Sequence, residues 1–235
     1  MSLVKTMNTK SLIRVEAALR AMRAGDFVVV ADDAARENEG DLIIAAEKVS
    51  AKSLAFMLRH TSGVVCVAVT EARASALQLP LMVPDNSESQ CTAFTVSVDF
   101  RQGTTTGISA ADRSAAIRGL ADPAVGPSGF LRPGHVFPLK ARPGGVLERR
   151  GHTEAAVDLA LLAGLSPAGA LCELVDDEGE MLRGADLERF AERHALPFMH
   201  IDELVRYRKS RERAEPATIR RPERPLAEPL LDYCG

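Results

Sequence analysis

The stretch FVVVADDAARENEGDLIIAA, residues 27–46, sets the architecture of the chain. Phe27-Val28-Val29-Val30-Ala31 and Leu42-Ile43-Ile44-Ala45-Ala46 are continuous apolar runs of strand length. Neither has the polar alternation of a strand with one wet face, so both predict strands buried on two sides. Between them, residues 32–41 carry five carboxylates in ten positions (Asp32, Asp33, Glu37, Glu39 and Asp41) around Arg36. Such a charge run is commonly a solvated loop. Here it joins two buried strands, and loops held at strand ends on a rigid scaffold are where function concentrates. Carboxylates this close repel one another unless a cation sits among them, and hard oxygen donors suit Mg²⁺ or Mn²⁺.

Outward from this core, strands and helices alternate. Ser11 predicts the cap of a helix to about Arg23, with Val15, Ala18, Leu19 and Met22 on one face and Gly25 as its stop. Ser50 caps a helix to about Arg59, Val64–Val69 reads as a strand, and Thr70 opens a short helix through Leu77. Phe94–Val98 alternates as a half-buried strand should. Ser109-Ala110-Ala111-Asp112 has the form of a capping box for a helix to about Leu120. His135–Ala141 predicts a strand that Pro138 confines to an edge or a bulge. A helix over Thr153–Ala163, a strand over Ala170–Val175, a helix over Ala185–Ala195, a short strand over Phe198–Ile201 and a last helix capped by Asp202 complete the order. The class is α/β or α+β, a single mixed sheet with helices packed around it. From Lys209 onward Arg and Pro dominate, which predicts a domain over 1–208 and a flexible tail over 209–235.

Composition excludes several classes. Among 235 residues, 46% hydrophobic and 26% charged is globular, and a chain of this size buries roughly 70% of its unfolded surface. A net charge of −3 and 4% aromatic residues argue against a nucleic-acid binder. No apolar run approaches a membrane span, and residues 1–14 lack a signal-peptide core. Cys66, Cys91, Cys172 and Cys234 form no C-x-x-C pair, so they read as reduced thiols of a cytoplasmic protein.

Three further polar segments carry candidate chemistry. Gly103–Arg113 brings glycines and hydroxyls to a helix start, a plausible phosphate cradle through free backbone N–H groups. His135 follows a Pro-Gly turn and titrates near neutral pH. Arg149-Arg150-Gly151-His152-Thr153-Glu154 pairs arginine with a helix-start hydroxyl, suited to phosphate, beside an imidazole able to ligate a metal. Each is also an ordinary turn or helix cap. Glu173, inside the apolar run Ala170–Val175, either reaches solvent on an alternating face or sits in a pocket with a raised pKa. No P-loop, G-x-S-x-G or dinucleotide fingerprint is present. Together these residues point to a metal-assisted enzyme acting on a small phosphorylated substrate.

At these same positions the chain resembles the 3,4-dihydroxy-2-butanone 4-phosphate synthases of riboflavin biosynthesis. The matching stretches are DDAARENEGDLIIAAE (32–47), HTSGVVCV (60–67), FTVSVD (94–99), TTGISAADR (105–113), RPGHVFPLKA (132–141), GHTEAAVDLA (151–160) and GALCEL (169–174). The resemblance implies a Mg²⁺-dependent (or Mn²⁺-dependent) lyase with two ions per substrate-bound site. It converts D-ribulose 5-phosphate to L-3,4-dihydroxy-2-butanone 4-phosphate and formate, as a homodimer with active sites near the subunit interface. It implies Glu37 and His152 as metal ligands, and Arg36, Asp41 and Glu173 as sugar contacts. Arg149 and Thr153 would bind the phosphate, with Thr106 and Ser109 nearby and Arg150 and Gly151 in the same segment. His135 and Glu173 match positions held essential for catalysis, and Asp41 or Glu39 is the expected first base.

Two departures and two alternatives accompany this. Arg150 stands where many members carry a small residue, so it either turns outward or adds phosphate charge. Many relatives carry a fused GTP cyclohydrolase II domain, whereas the Pro/Arg tail here has no zinc signature, so only the synthase activity is expected. A Mg²⁺-dependent sugar-phosphate isomerase would share the enediol chemistry without releasing formate. A non-catalytic phosphosugar- or RNA-binding module of similar fold is the other alternative.

Overall fold

The computed structural model describes residues 9–214. The elements are α1 (Thr9–Ala24), β1 (Val28–Ala31), β2 (Gly40–Ala45), α2 (Ala51–His60), β3 (Cys66–Val69), α3 (Glu71–Ala76), β4 (Val98–Phe100), α4 (Ala110–Ala121), β5 (Phe130–Lys140), α5 (His152–Leu162), β6 (Ala168–Glu173), α6 (Ala185–Arg193), β7 (Phe198–His200) and α7 (Ile201–Ala214). The strands form one mixed sheet in the order β4-β5-β3-β6-β2-β1-β7. β3 with β5 and β1 with β7 are parallel, and the remaining neighbours are antiparallel.

The apolar runs are explained by two cores, one on each face of this sheet. Alternate residues Val29, Leu42, Ile44, Val67 and Ala170 pack under α2, α3, α4 and α6. The intervening Val28, Val30, Ile43, Ala68 and Leu171 pack under α1, α5 and α7. Every residue of β1, β2 and β3 is buried, as expected of strands covered on both sides. The Val15, Ala18, Leu19 and Met22 face of α1 is buried, and Gly25 ends that helix at φ +79°. Ser50 and Thr70 cap α2 and α3 as expected.

Four expectations are corrected. Ser11 lies buried inside α1 rather than capping it. Phe94–Ser97 is not a ladder strand: it touches the sheet through isolated bridges, and Thr95 gives both its N–H and its hydroxyl to the Pro138 carbonyl. β5 is not an edge, since it lies between β4 and β3; Pro138 is accommodated because that irregular segment, not a full ladder, runs beside it. Asp112 does not complete a capping box with Ser109. Ser109 caps Asp112 N–H, while the Asp112 carboxylate turns back onto Thr105 N–H, the Thr105 hydroxyl and Gly107 N–H.

At the C-terminal end α7 continues past Lys209 to Ala214. Arg208 anchors it on the Asp158 carboxylate at 2.8 Å, and the same oxygen accepts the Val146 N–H at 2.9 Å. Residues 215–235, including Cys234, lie outside the described residues. Cys66 and Cys172 are buried free thiols, but Cys91 is disulfide-bonded, against the expectation of reduced cysteines throughout. Asp158→Ala strips the buried Val146 N–H and Arg208 of their acceptor, and a loss of about 2–4 kcal/mol in urea denaturation is expected. An unchanged midpoint would mean that α7 is held by apolar contacts alone.

Candidate active site

Sheet register brings the acidic residues together. Asp41, at the start of β2, pairs directly across the antiparallel ladder with Glu173 at the end of β6. Strand parity puts both on the face that carries Ile43 and Leu171, the face covered by α5. Cys66, opposite Leu171 at the start of β3, shares that face. The first residue of α5 is His152, so the helix that covers this core also delivers an imidazole beside Asp41. Glu37 arrives from the loop after β1. These groups line a cavity of about 160 Å³ together with Arg36, Glu39, Cys66, Arg149 and Thr153.

His152 is buried, and its Nε2 lies 3.1 Å from the Val30 carbonyl, which can only accept. Nε2 therefore carries a proton in either charge state, and Nδ1, bare only when the imidazole is neutral, faces the cavity. Nδ1 is 3.7 Å from Glu37 Oε2 and 3.7 Å from Asp41 Oδ1. Asp41 Oδ1 is buried and has no hydrogen-bond partner among the described residues. Burial pushes the Asp41 carboxyl up to about 7, although His152 opposes the shift. Burial works against a charge on His152, but Asp41 and Glu37 outweigh it and carry its pKa up to about 9. Glu37 is drawn down to about 2 chiefly by the neighbouring His152 imidazole, against burial and with help from Arg36.

Asp32, Glu37 and His152 bring ligand atoms within 4.8 Å of one another, a group able to hold a metal ion. Asp32 is the least available of the three. Its Oδ2 accepts Arg36 Nη1 at 2.9 Å and Glu37 N–H at 3.0 Å, and its Oδ1 accepts Glu39 N–H at 2.9 Å. Fully enclosed, it shapes the acidic loop from within. Glu37, paired with Arg36, and the His152 Nδ1 lone pair remain to face a ligand, and the unsatisfied Asp41 oxygen beside them marks where positive charge belongs.

Arg149 also lines the cavity. Its Nη1 holds Glu154 at 2.7 Å, and its Nη2 holds Thr92 Oγ1 at 3.0 Å and the Gln90 carbonyl at 3.1 Å. A Cβ on Gly151 would collide with Arg149 Nη1, so only glycine lets this arginine fold across the start of α5. Glu173 is gripped by Ser62, whose hydroxyl donates to Oε2 at 2.6 Å and whose N–H donates to the Glu173 carbonyl at 2.9 Å. Glu173 lines the cavity from a half-buried position.

Other sequence candidates fall elsewhere. Arg150 turns outward to Asp202 at 3.6 Å and lines a larger cavity, about 810 Å³, on the far side of the acidic loop. That cavity is bigger but gathers no comparable set of ligand atoms among the described residues; Arg36 and Glu39 border both spaces. His135, Thr106 and Ser109 lie outside the 160 Å³ cavity. The expected phosphate cradle at 103–109 is partly filled by Asp112, which occupies the Thr105 and Gly107 N–H groups. Sequence reasoning missed Ser62, Glu88 and Thr92. Ser62 sits in a quoted stretch without a distinguishing pattern, and the loop around residues 86–94 gives no sign that it folds against Arg149.

The model of the 3,4-dihydroxy-2-butanone 4-phosphate synthase family matches residues 16–207. The chain belongs to this family. A synthase of that name from Pelobacter propionicus is 54% identical over 209 residues, 89% of this chain and 88% of its own length. One from Edwardsiella ictaluri is 52% identical over 204 residues, 87% and 93% of the two chains. A crystal structure of 3,4-dihydroxy-2-butanone 4-phosphate synthase in complex with two magnesium ions superposes with a TM-score of 0.82 at 48% identity, covering 84% of this chain and 97% of that one. The protein is thus an enzyme of the synthase family of riboflavin biosynthesis, with that family's fold. Among the described residues no helix is long and apolar enough to cross a membrane.

The His152 environment has a measurable consequence. A histidine whose pKa rises from 6.5 to about 9 on folding contributes stability that is full below pH 6.5 and is lost as pH climbs through 9. Held in chelator, the protein is expected to lose stability progressively between pH 6.5 and 9 in denaturant titrations, and His152→Gln to flatten that slope. A profile of equal slope in both proteins would show that the imidazole is not held between the two carboxylates.

Proposed function

We propose that the protein converts D-ribulose 5-phosphate to L-3,4-dihydroxy-2-butanone 4-phosphate and formate, a lyase reaction dependent on Mg²⁺ or Mn²⁺. The observation that carries this reading is the buried Asp41 oxygen that has no hydrogen-bond partner among the described residues, 3.7 Å from a histidine Nδ1 that the Nε2 contact with the Val30 carbonyl turns toward it. Glu37 and His152 would hold the cation, with two ions in the substrate-bound site, in keeping with the magnesium-bound relative. A hard carboxylate oxygen and an imidazole fit that ion class. When bound, the metal supplies Lewis-acid polarisation of the substrate's C2 carbonyl and C3 hydroxyl oxygens.

The chain's own residues divide the remaining work. Asp41, its pKa raised to about 7 by burial, suits removal of the C3 proton at neutral pH; Glu39, raised by burial less strongly, is the neighbouring alternative. Arg36 and Glu173, both lining the cavity, would contact the sugar, Glu173 steadied by Ser62. Arg149 and Thr153 would take the phosphate, Arg149 exchanging its Gln90 and Thr92 contacts for phosphate oxygens. The synthase activity belongs to residues 1–208, in a cytoplasmic protein.

His135, Thr106 and Ser109 gather away from this pocket, so a single chain does not assemble all the expected residues. Exposed Ile108 and Leu131 lie beside them, apolar surface that suits a protein interface. In the homodimer a second subunit would bring that cluster to the first subunit's pocket. The isomerase alternative shares the same proton abstraction, and formate is what separates it.

With D-ribulose 5-phosphate and Mg²⁺, ¹³C NMR is expected to show formate and a four-carbon phosphate, lost on EDTA addition and in Glu37→Gln. An equilibrating mixture of pentose phosphates would indicate the isomerase instead. The shared site has its own test. His135→Ala and His152→Ala, each inactive alone, are expected to recover about a quarter of wild-type turnover when unfolded together and refolded, because mixed dimers keep one intact site. No recovery would place both histidines in one chain's site.

A further inference from the structure

We infer that Asp99 is a positioning residue that makes Nε2 of His135 its proton-transfer atom, an inference that rests on the proposed role of His135 in the reaction. Asp99 lies on β4, a buried carboxylate close enough to the buried Arg113 to favour its charge, whose side-chain hydrogen bonds among the described residues go to one histidine. Its Oδ1 accepts the His135 backbone N–H at 2.9 Å, and its Oδ2 lies 2.8 Å from His135 Nδ1. A carboxylate can only accept, so Nδ1 carries the proton and the neutral imidazole leaves its Nε2 lone pair open on a side chain 42% exposed.

The surroundings are shaped to permit this one contact. The β4–β5 register shifts between Val98 and Asp99, passing from Val136 to Leu131 and looping out the residues between, His135 among them. Gly134 crosses so close that a Cβ would overlap the Val98 carbonyl carbon, and its N–H is taken by Ser97 Oγ at 3.1 Å. Gly107, at φ +91°, passes over the other side, where a Cβ would overlap Asp99 Oδ2. That loop is in turn pinned by Asp112. Three chain segments therefore converge on one carboxylate whose hydrogen bonds, among the described residues, all go to His135.

The two-donor arrangement dictates what an amide would do. In the Asp99→Asn protein the side chain has one accepting oxygen and one donating nitrogen in place of two acceptors. The backbone N–H of His135 cannot change sign, so the amide oxygen must stay with it and the amide NH₂ must face Nδ1. The imidazole is then forced into the opposite tautomer, with Nε2 protonated and no longer a base.

The experiment is ¹⁵N NMR of the imidazoles in the full-length protein, with His135 assigned by comparison with His135→Ala, alongside turnover of D-ribulose 5-phosphate with Mg²⁺. Wild type is expected to show His135 protonated at Nδ1, a result read without any substitution. Asp99→Asn is expected to keep its fold, to move the proton to Nε2 and to lower kcat by about 10²- to 10⁴-fold. A wild-type proton on Nε2, or an Asp99→Asn protein with unchanged tautomer or unchanged kcat, would overturn the inference. Full activity in His135→Ala would instead defeat the underlying reading of His135, leaving the tautomer result to stand by itself.

Discussion

Like-charged carboxylates driven together at the end of a buried sheet are the constraint around which this molecule is organised. Asp41 is enclosed beside the half-buried Glu37, Glu39 and Glu173, all of one sign, and its own charge is shielded from water. The chain supplies some relief: Arg36 stands between Asp32 and Glu37, and Arg183 reaches Glu39 at 3.3 Å. Among the described residues no arginine or lysine pairs with Asp41. What faces it is His152, and a proton on Nδ1 occupies the place that a cation would take. Proton and metal therefore compete for the same lone pair, which ties cation affinity to pH.

The same geometry explains why the fold takes this form. Antiparallel pairing of β2 with β6 sets Asp41 across from Glu173, and a slip of one residue between the strands would put the two on opposite faces of the sheet. α5 covers the core on that face and begins at the point where the ligand is needed. The bond from His152 to Val30 joins the helix start to β1 and, at the same time, chooses the tautomer. Packing and chemistry thus share residues here. The His135–Asp99 pair repeats the logic at a second place, where a carboxylate given over to one histidine sets its direction and tautomer.

Much of this was legible from residue order. Val28–Val30 and Leu42–Ala45 announced strands covered on both faces, because a strand with a wet face cannot be apolar throughout. The five carboxylates between them announced a charged site for the same reason of placement. Less visible was anything decided by tertiary contact. Phe94–Ser97 alternates like a strand, yet its hydrogen bonds go to Pro138 and to isolated bridges. Ser109-x-x-Asp112 reads as a capping box, but Asp112 finds better-placed donors in its own preceding loop. Arg150 is drawn out by Asp202 on a helix far along the chain. Asp32 was indistinguishable from its acidic neighbours until its backbone partners were seen, and Asp99 stood in an ordinary strand pattern with nothing to connect it to His135. Helical continuation through Lys209–Ala214 was hidden by a composition that reads as tail.

The central claim is that Glu37 and the Nδ1 atom of His152 form a divalent-cation centre beside Asp41. Crystals soaked in Mn²⁺ and measured at the manganese absorption edge test it directly. The expected result is an anomalous peak within coordination distance of both His152 Nδ1 and a Glu37 carboxylate oxygen, absent in His152→Ala. A peak only at exposed acidic residues such as Asp33, or one that persists unchanged without the imidazole, would contradict the account.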